Sequence, residues 1–268
     1  MTTDIADALR ALGLCASREA IEALLAHATK SRLSPAEVLE HVVRLERRER
    51  DARNLASRTK KATLGAMKPL DLFDWSFPRS IDRPRYEQLL SLDFTADGHN
   101  VLLRGPSGVG KSTLAQNLGQ RALEKGKSVC FCTVNGALAD LLKQESLPAV
   151  ERRLRRYTRP DILILDELGY LPCDARSGDL LYTIVGRRHE RASTIISTNL
   201  AFKDWGSVFP GAACVVALVD RFTQHCHVLD IDGDSWRQRP EPPTDSPPSS
   251  SARKSKTLPH GKKKAGRT

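Results

Sequence analysis

The chain has 268 residues, 40% hydrophobic and 28% charged, which is enough to bury a core without disulfide staples, in one large domain or two small ones. Its 42 Lys and Arg against 32 Asp and Glu give a net charge of +10. That surplus favours a polyanionic partner such as nucleic acid, with an anionic membrane surface or simple solubility as the alternatives. No apolar run reaches 18 residues, and Met1-Thr2-Thr3-Asp4 lacks a basic flank before an apolar stretch, so neither a membrane span nor a secretory signal is expected. Cysteines at 15, 130, 132, 173, 214 and 226 form no C-x-x-C pair and read as reduced thiols of a cytoplasmic protein.

Residues 4 to 61 read as helix. Ile5, Leu9 and Leu12, then Ile21, Leu24 and Leu25, then Val38, Leu39, Val42, Val43 and Leu45 recur at three- and four-residue spacing, and Ser34-Pro35-Ala36-Glu37 resembles an N-cap with proline in the first turn. A small helical domain over 1–65 follows. Between Arg44 and Lys61 there are eight basic and three acidic residues. They form either a solvated helix face with i,i+4 pairs or a track for a DNA backbone.

A larger domain over 66–237 follows, with a helix from Asp82 and Pro84 to Leu92 just before its first strand. Apolar runs then come at Val101–Leu103, Val129–Val134, Ile162–Leu165, Thr194–Ser197 and Val228–Ile231, separated by helix-length segments. Such runs are strands buried on both faces, so the fold class is α/β with a five-stranded parallel sheet and crossover helices. Cys130 and Cys132 should project to one face of that sheet, as core residues. Residues 238–268 turn to Pro, Ser and Lys, with eight basic against two acidic residues, and are expected to form a disordered basic tail. The net charge thus divides into +5 on the helix, +6 on the tail and −1 elsewhere.

The strongest motif is Gly105-Pro106-Ser107-Gly108-Val109-Gly110-Lys111-Ser112, between the strand at Val101 and a helical run from Thr113 to Leu123. This is a Walker A motif in the context it requires. Glycines let backbone N–H groups close around phosphates at a helix N-terminus, Lys111 reaches the β- and γ-phosphates, and Ser112 ligates Mg²⁺. The second motif, Ile162-Leu163-Ile164-Leu165-Asp166-Glu167, runs four apolar residues into two acids. Asp166 suits the Walker B carboxylate that holds Mg²⁺, and Glu167 the base that orients an attacking water. The expected nucleotide set is therefore Gly105 through Thr113, including Pro106, Ser107, Val109 and Gly110, together with Asp166. The strand from Thr194 ends at Asn199, whose amide either bridges the water and the γ-phosphate or serves a turn. Arg221, in Leu218-Val219-Asp220-Arg221-Phe222, either stabilises transferring phosphoryl charge from a neighbouring subunit or pairs with an acid such as Asp220. His225 and His227 flank Cys226, without the further ligands a zinc site needs.

These motifs, with Asp166-Glu167-Leu168-Gly169-Tyr170-Leu171-Pro172, the stretch from Arg191 to Asn199, Trp205-Gly206 with Val208-Phe209, the linker from Phe73-Asp74 to Arg85, and Asp220-Arg221 ahead of Gly233-Asp234-Ser235-Trp236-Arg237, resemble the IstB-like ATP-binding proteins. These are transposition helper ATPases of bacterial insertion sequences, related to DnaC helicase loaders within the AAA+ class. The resemblance implies an AAA+ P-loop core that binds ATP and Mg²⁺ through Lys111, Ser112 and Asp166, with Glu167 activating water and Asn199 sensing the γ-phosphate. It implies Arg221 as a trans-acting arginine finger and Arg237 as a second basic sensor. It also implies double-stranded DNA, a partner transposase and a homo-oligomeric ring or spiral as partners. A helicase loader, or a nucleotide-gated DNA-binding protein without turnover, are the alternative readings. The segment Pro210-Gly211-Ala212-Ala213-Cys214 and the basic tail depart from the family pattern.

Overall fold

The computed structural model describes residues 4–170 and 174–238. The basic tail, and Leu171, Pro172 and Cys173 of the acidic-strand motif, lie outside the described residues. Three helices come first: α1 (Ile5–Ala11), α2 (Arg18–Lys30) and α3 (Pro35–Ala62). Each starts on an oxygen side chain, Asp4, Ser17 and Ser34, that accepts a hydrogen bond from a first-turn N–H. At Ser34 the cap is reciprocal, because Glu37 accepts in return from the Ser34 N–H at 2.7 Å. A small core of Ala6, Ala16 and Ile21, flanked by Leu9, Leu25 and Leu45, holds the three helices together.

Helix α3 extends beyond this cluster. At about 1.5 Å per residue it is about 42 Å long, and its final turn buries Ala62 in the core of the sheet domain beside Leu55 and Leu64. Arg58 donates to the Leu123 carbonyl at 3.2 Å. Of the basic residues on this helix, Arg44, Arg48 and Arg50 pair with Glu40, Glu49 and Glu46, as a solvated face does. Arg47, Arg53, Lys60 and Lys61 are exposed and outside those pairs.

The rest alternates between strands and helices: β1 (Ser80–Ile81), α4 (Arg83–Leu89), β2 (Asn100–Arg104), α5 (Lys111–Glu124), β3 (Val129–Thr133), α6 (Val134–Leu142), α7 (Leu147–Thr158), β4 (Ile162–Leu168), α8 (Ala175–Arg188), β5 (Ser193–Thr198), α9 (Trp205–Val208), α10 (Val215–Thr223) and β6 (Cys226–Asp232). The sheet order is β1-β6-β2-β5-β4-β3. Strands β2 to β6 are parallel, as the apolar runs predict. The sheet nevertheless has six strands, not five, because the two-residue β1 adds an antiparallel edge, Ser80 opposite Asp232. Two residues are too few to leave an alternation pattern. Val134 also leaves the strand expected for it and opens α6, where the Thr133 hydroxyl accepts from the Gly136 N–H at 3.0 Å.

Alternate residues of each strand enter different cores. Val101, Leu103, Ile162, Ile164 and Ile195 pack with α4, α5 and the end of α3. Leu102, Leu163, Leu165 and Ile196 pack with α6 to α10. Cys130 and Cys132 share this second face, as their i,i+2 spacing requires. Arg188, only 1% exposed, ties its lower edge together by donating to Thr194 Oγ1 and to the carbonyls of Tyr157, Pro160, Asp161 and Ser193.

Candidate nucleotide site

The site sits at the carboxyl ends of the parallel strands, where open α/β sheets bind ligands. Strand β2 feeds a loop, Gly105–Gly110, that turns into α5. Gly108 and Gly110 have φ of 83° and 98°, a left-handed backbone that glycine adopts at no steric cost. A Cβ on Gly110 would come 2.5 Å from the Phe73 ring, and one on Gly105 would strike the Ile231 carbonyl. Of the five helices of 12 residues or more, α5 is the one that starts without a side-chain cap. Its first-turn N–H groups thus lack the internal acceptor that caps the others, which suits a phosphate.

Lys111 opens α5, and its Nζ donates to the carbonyls of Gly105 (2.8 Å) and Pro106 (2.6 Å). Burial pushes its pKa below the ordinary lysine value, opposed by Asp166 and Glu167 and reinforced by Arg237. Ser112 Oγ donates to Asp166 Oδ1 at 3.0 Å. The same oxygen accepts from the Ser197 hydroxyl, whose Oγ accepts from the Glu167 N–H at 3.0 Å. Asp166 is buried, and an oxygen beside the Ser112 hydroxyl is a donor set that suits a hard cation such as Mg²⁺.

Strand β4 changes course at this point. Leu163, Leu165 and Leu168 all enter one core, although regular alternation would send Leu168 to the opposite face from Leu165. The ladder with β5 slips between Leu165 and Leu168, and Glu167 takes a left-handed φ of 62°. This bulge keeps Asp166 buried at the strand end and turns Glu167 out into the cleft. Asn199, just past β5, lines the same cleft. Its turn is held by Thr198 Oγ1, which donates to the Leu168 carbonyl (2.7 Å) and accepts from the Leu200 N–H (3.0 Å).

The cleft has a volume of about 420 Å³. Ser107 through Thr113, Glu167, Asn199 and Arg237 all line it. Gly105 and Pro106 stand behind them as the acceptors for Lys111, and Asp166 lies beneath, joined through Ser112. Arg221 is not among the lining residues. It sits on α10 with its guanidinium 4.8 Å from the Tyr182 ring centroid on α8 and forms no ion pair with Asp220 among the described residues.

Sequence reasoning missed Ser197 and an aromatic wall. Phe73 and Phe77 from the linker, with Trp236 from the chain after β6, line the cleft together. Phe77 and Trp236 meet edge to face at 4.6 Å, Lys68 Nζ lies 5.6 Å from the Trp236 ring centroid, and the backbone N–H of Trp236 donates to the Gly108 carbonyl at 3.0 Å. The available signal was the density of aromatics in Phe73-Asp74-Trp75-Ser76-Phe77, in a chain with only 5% aromatic residues.

Comparison with known proteins agrees with this geometry. The family model described as IstB-like ATP binding protein matches residues 7–242. A protein of insertion sequence IS21 from Pseudomonas aeruginosa, named as ATP-binding, is 37% identical over 217 residues, covering 81% of this chain and 82% of its own. A similarly named protein of insertion sequence IS232 from Bacillus thuringiensis subsp. berliner is 35% identical, covering 74% and 81%. Among solved structures, DnaI is similar with a TM-score of 0.51 at 18% identity, covering 64% of this chain and 90% of that one. A DNA replication initiation factor gives 0.50 at 18% identity, covering 63% and 52%. At that identity the likeness shows a shared P-loop NTPase fold. The glycine loop, the buried Asp166 and the match along most of the chain agree: the chain belongs to the IstB-like ATP-binding family.

Proposed function

We propose that the chain hydrolyses ATP with Mg²⁺, assembles as a ring or spiral of identical subunits on double-stranded DNA, and in that state assists a partner transposase. The observation that carries the hydrolytic part is the bulge, which brings a carboxylate into the cleft two residues after Leu165 while Asp166 stays bound to Ser112. Glu167 accepts a proton from water as its oxygen attacks the γ-phosphorus, the bond to the β-phosphate oxygen breaks, and ADP and phosphate leave. Ser112 and Asp166 would hold Mg²⁺, which would supply neutralisation of the phosphate charge. Lys111 moves from the Gly105 and Pro106 carbonyls to the phosphates, Asn199 orients the water, and Arg237 faces the triphosphate from the rim.

Arg221 acts in trans. Its place on α10, outside its own cleft, supports a role at the neighbouring subunit's phosphates. The insertion-sequence names of the relatives support transposition as the setting, in the cytoplasm with the DNA. The helical domain (1–65), with the exposed Arg47, Arg53, Lys60 and Lys61, and the basic tail (238–268) contribute DNA affinity around the ATPase domain (66–237). The deciding experiment measures phosphate release with and without duplex DNA. Turnover that is DNA-stimulated and lost in Lys111→Ala and Glu167→Gln, the latter still binding ATP, supports the reading. Undiminished turnover by Glu167→Gln removes that residue from its role.

A further inference from the structure

Outside the nucleotide cleft, one helix separates its charges in an unusual way. The segment 143–159 holds six basic and two acidic residues, within a core whose total charge is close to zero. At 100° per residue, Val150, Leu154 and Tyr157 of α7 fall on one side, where they pack into the core under the sheet. On the opposite side, Arg152, Arg155, Arg156 and Arg159, the last at the C-cap, fall within an arc of about 100°, and all four are exposed.

The charges on the flanks of this helix are held in ion pairs and those on its outer face are not. Arg153 pairs with Asp140 at 2.5 Å, and Glu151 with Arg187 of α8 at 2.6 Å. None of the four outer arginines forms an ion pair with a carboxylate of the described residues. Like charges at i,i+3, i+4 and i+7 spacing destabilise a helix; Arg155, Arg156 and Arg159 recover part of that cost at the C-terminal end of the helix dipole, but Arg152, a turn or more from that end, does not, and Leu154 and Tyr157 already anchor the helix.

We propose that the outer face of α7 is a phosphate-binding surface on the ATPase core itself and that its ligand is double-stranded nucleic acid. The proposal rests on the DNA-binding reading above and names where on the core the duplex is held. From Arg152 to Arg159 the helix rises about 10 Å, a length over which a duplex presents about six phosphate charges. Guanidinium forks match phosphate oxygens in pairs. An acidic protein partner fits less well, because protein interfaces need an apolar centre, and the one strongly exposed apolar residue of α7, Leu147, lies off the arginine arc.

The test uses the full chain with a non-hydrolysable ATP analogue and a labelled random-sequence duplex, titrated by anisotropy across a salt series. The triple variant Arg152→Gln, Arg155→Gln, Arg159→Gln spares Arg156, whose guanidinium also lies 5.9 Å from the Tyr157 ring centroid. It should bind duplex at least about tenfold more weakly, with the log–log salt slope reduced by about 0.9 for each phosphate that is no longer neutralised. ATP binding without DNA should stay at the parent level, and the corresponding triple Arg→Lys variant should recover most of the slope. A triple Gln variant that matches the parent in affinity and slope overturns the proposal and leaves the DNA-binding reading standing. A parent chain that binds no duplex overturns both. Loss of binding to poly-glutamate with duplex binding intact overturns it in favour of an acidic protein partner.

Discussion

The hydroxyl of Ser197 on β5 joins the two acids at the end of β4: it donates to Asp166 and accepts from the backbone N–H of Glu167. One side chain from a neighbouring strand thus fixes both the carboxylate assigned to the metal and the backbone that aims the carboxylate assigned to water. Ser197→Ala should lower turnover about 10- to 100-fold, the usual cost of losing an outer partner of a metal ligand. The apparent Mg²⁺ requirement should rise while nucleotide binding in excess Mg²⁺ changes little. A Mg²⁺ titration of phosphate release checks this, and an unchanged midpoint would assign the hydroxyl to packing alone.

Lys111 is a half-buried cation whose hydrogen-bond partners here are two neutral carbonyls. Its pKa is lowered in the fold, chiefly by burial, so between the folded value and the ordinary lysine value of about 10.4 the unfolded chain binds more protons than the folded one. Stability associated with this group therefore rises with pH across that window, and the charged form works against folding at neutral pH. Lys111→Met should raise the melting temperature of the nucleotide-free protein at pH 7 while abolishing ATP binding. Thermal melts with and without ATP measure both effects.

Arg188 makes five hydrogen bonds from a fully buried guanidinium, and one of them fastens the carbonyl of Tyr157 in α7. Arg188→Met leaves several buried carbonyls without a donor, at about 1–3 kcal/mol for each that finds no water. A loss of about 3 kcal/mol or more is expected in denaturant unfolding. Arg188→Lys should recover little, because one ammonium cannot span acceptors on three sides.

Arg221 is held by the Tyr182 ring and by no carboxylate among the described residues. Arg221→Ala should cost about 0.5–1 kcal/mol of stability as the cation–π interaction disappears, yet reduce turnover by about 10³-fold or more if it is the finger. Mixing Arg221→Ala with Lys111→Ala should restore part of the activity, since mixed assemblies pair an intact Lys111 site with an intact Arg221. Absence of any restored phosphate release would confine Arg221 to its own subunit.

The parts of this molecule most legible in the sequence are those where chemistry restricts the choice of residue. Only glycine suits the backbone at Gly108 and Gly110, and only a long cation at Lys111 spans the loop, so the Walker A segment reads directly. The five parallel strands read as well, because strands covered on both faces must be apolar throughout. Ser197 did not, since in Ser193–Thr198 every side chain is buried and a serine that caps an acid looks the same as one that merely fills space. The bulge at Glu167 leaves no trace in residue type, because the slip depends on pairing with β5. The arginines of α7 were hidden differently: summed over the core their charge cancels, and only the fold shows that Glu151 and Arg153 are paired on the flanks while four other arginines stand exposed outside those pairs.

The backbone at Glu167 carries a further consequence. A non-glycine residue at φ 62° costs about 1–2 kcal/mol relative to a relaxed strand, so Glu167→Gly would relieve the fold at the same step that removes the proposed base. Drift therefore has an easy route from this chain to a more stable descendant that keeps the phosphate loop but lacks the proposed base. A lineage in which turnover is needed must select against that descendant in every generation, and a copy released from that selection would be expected to change here early.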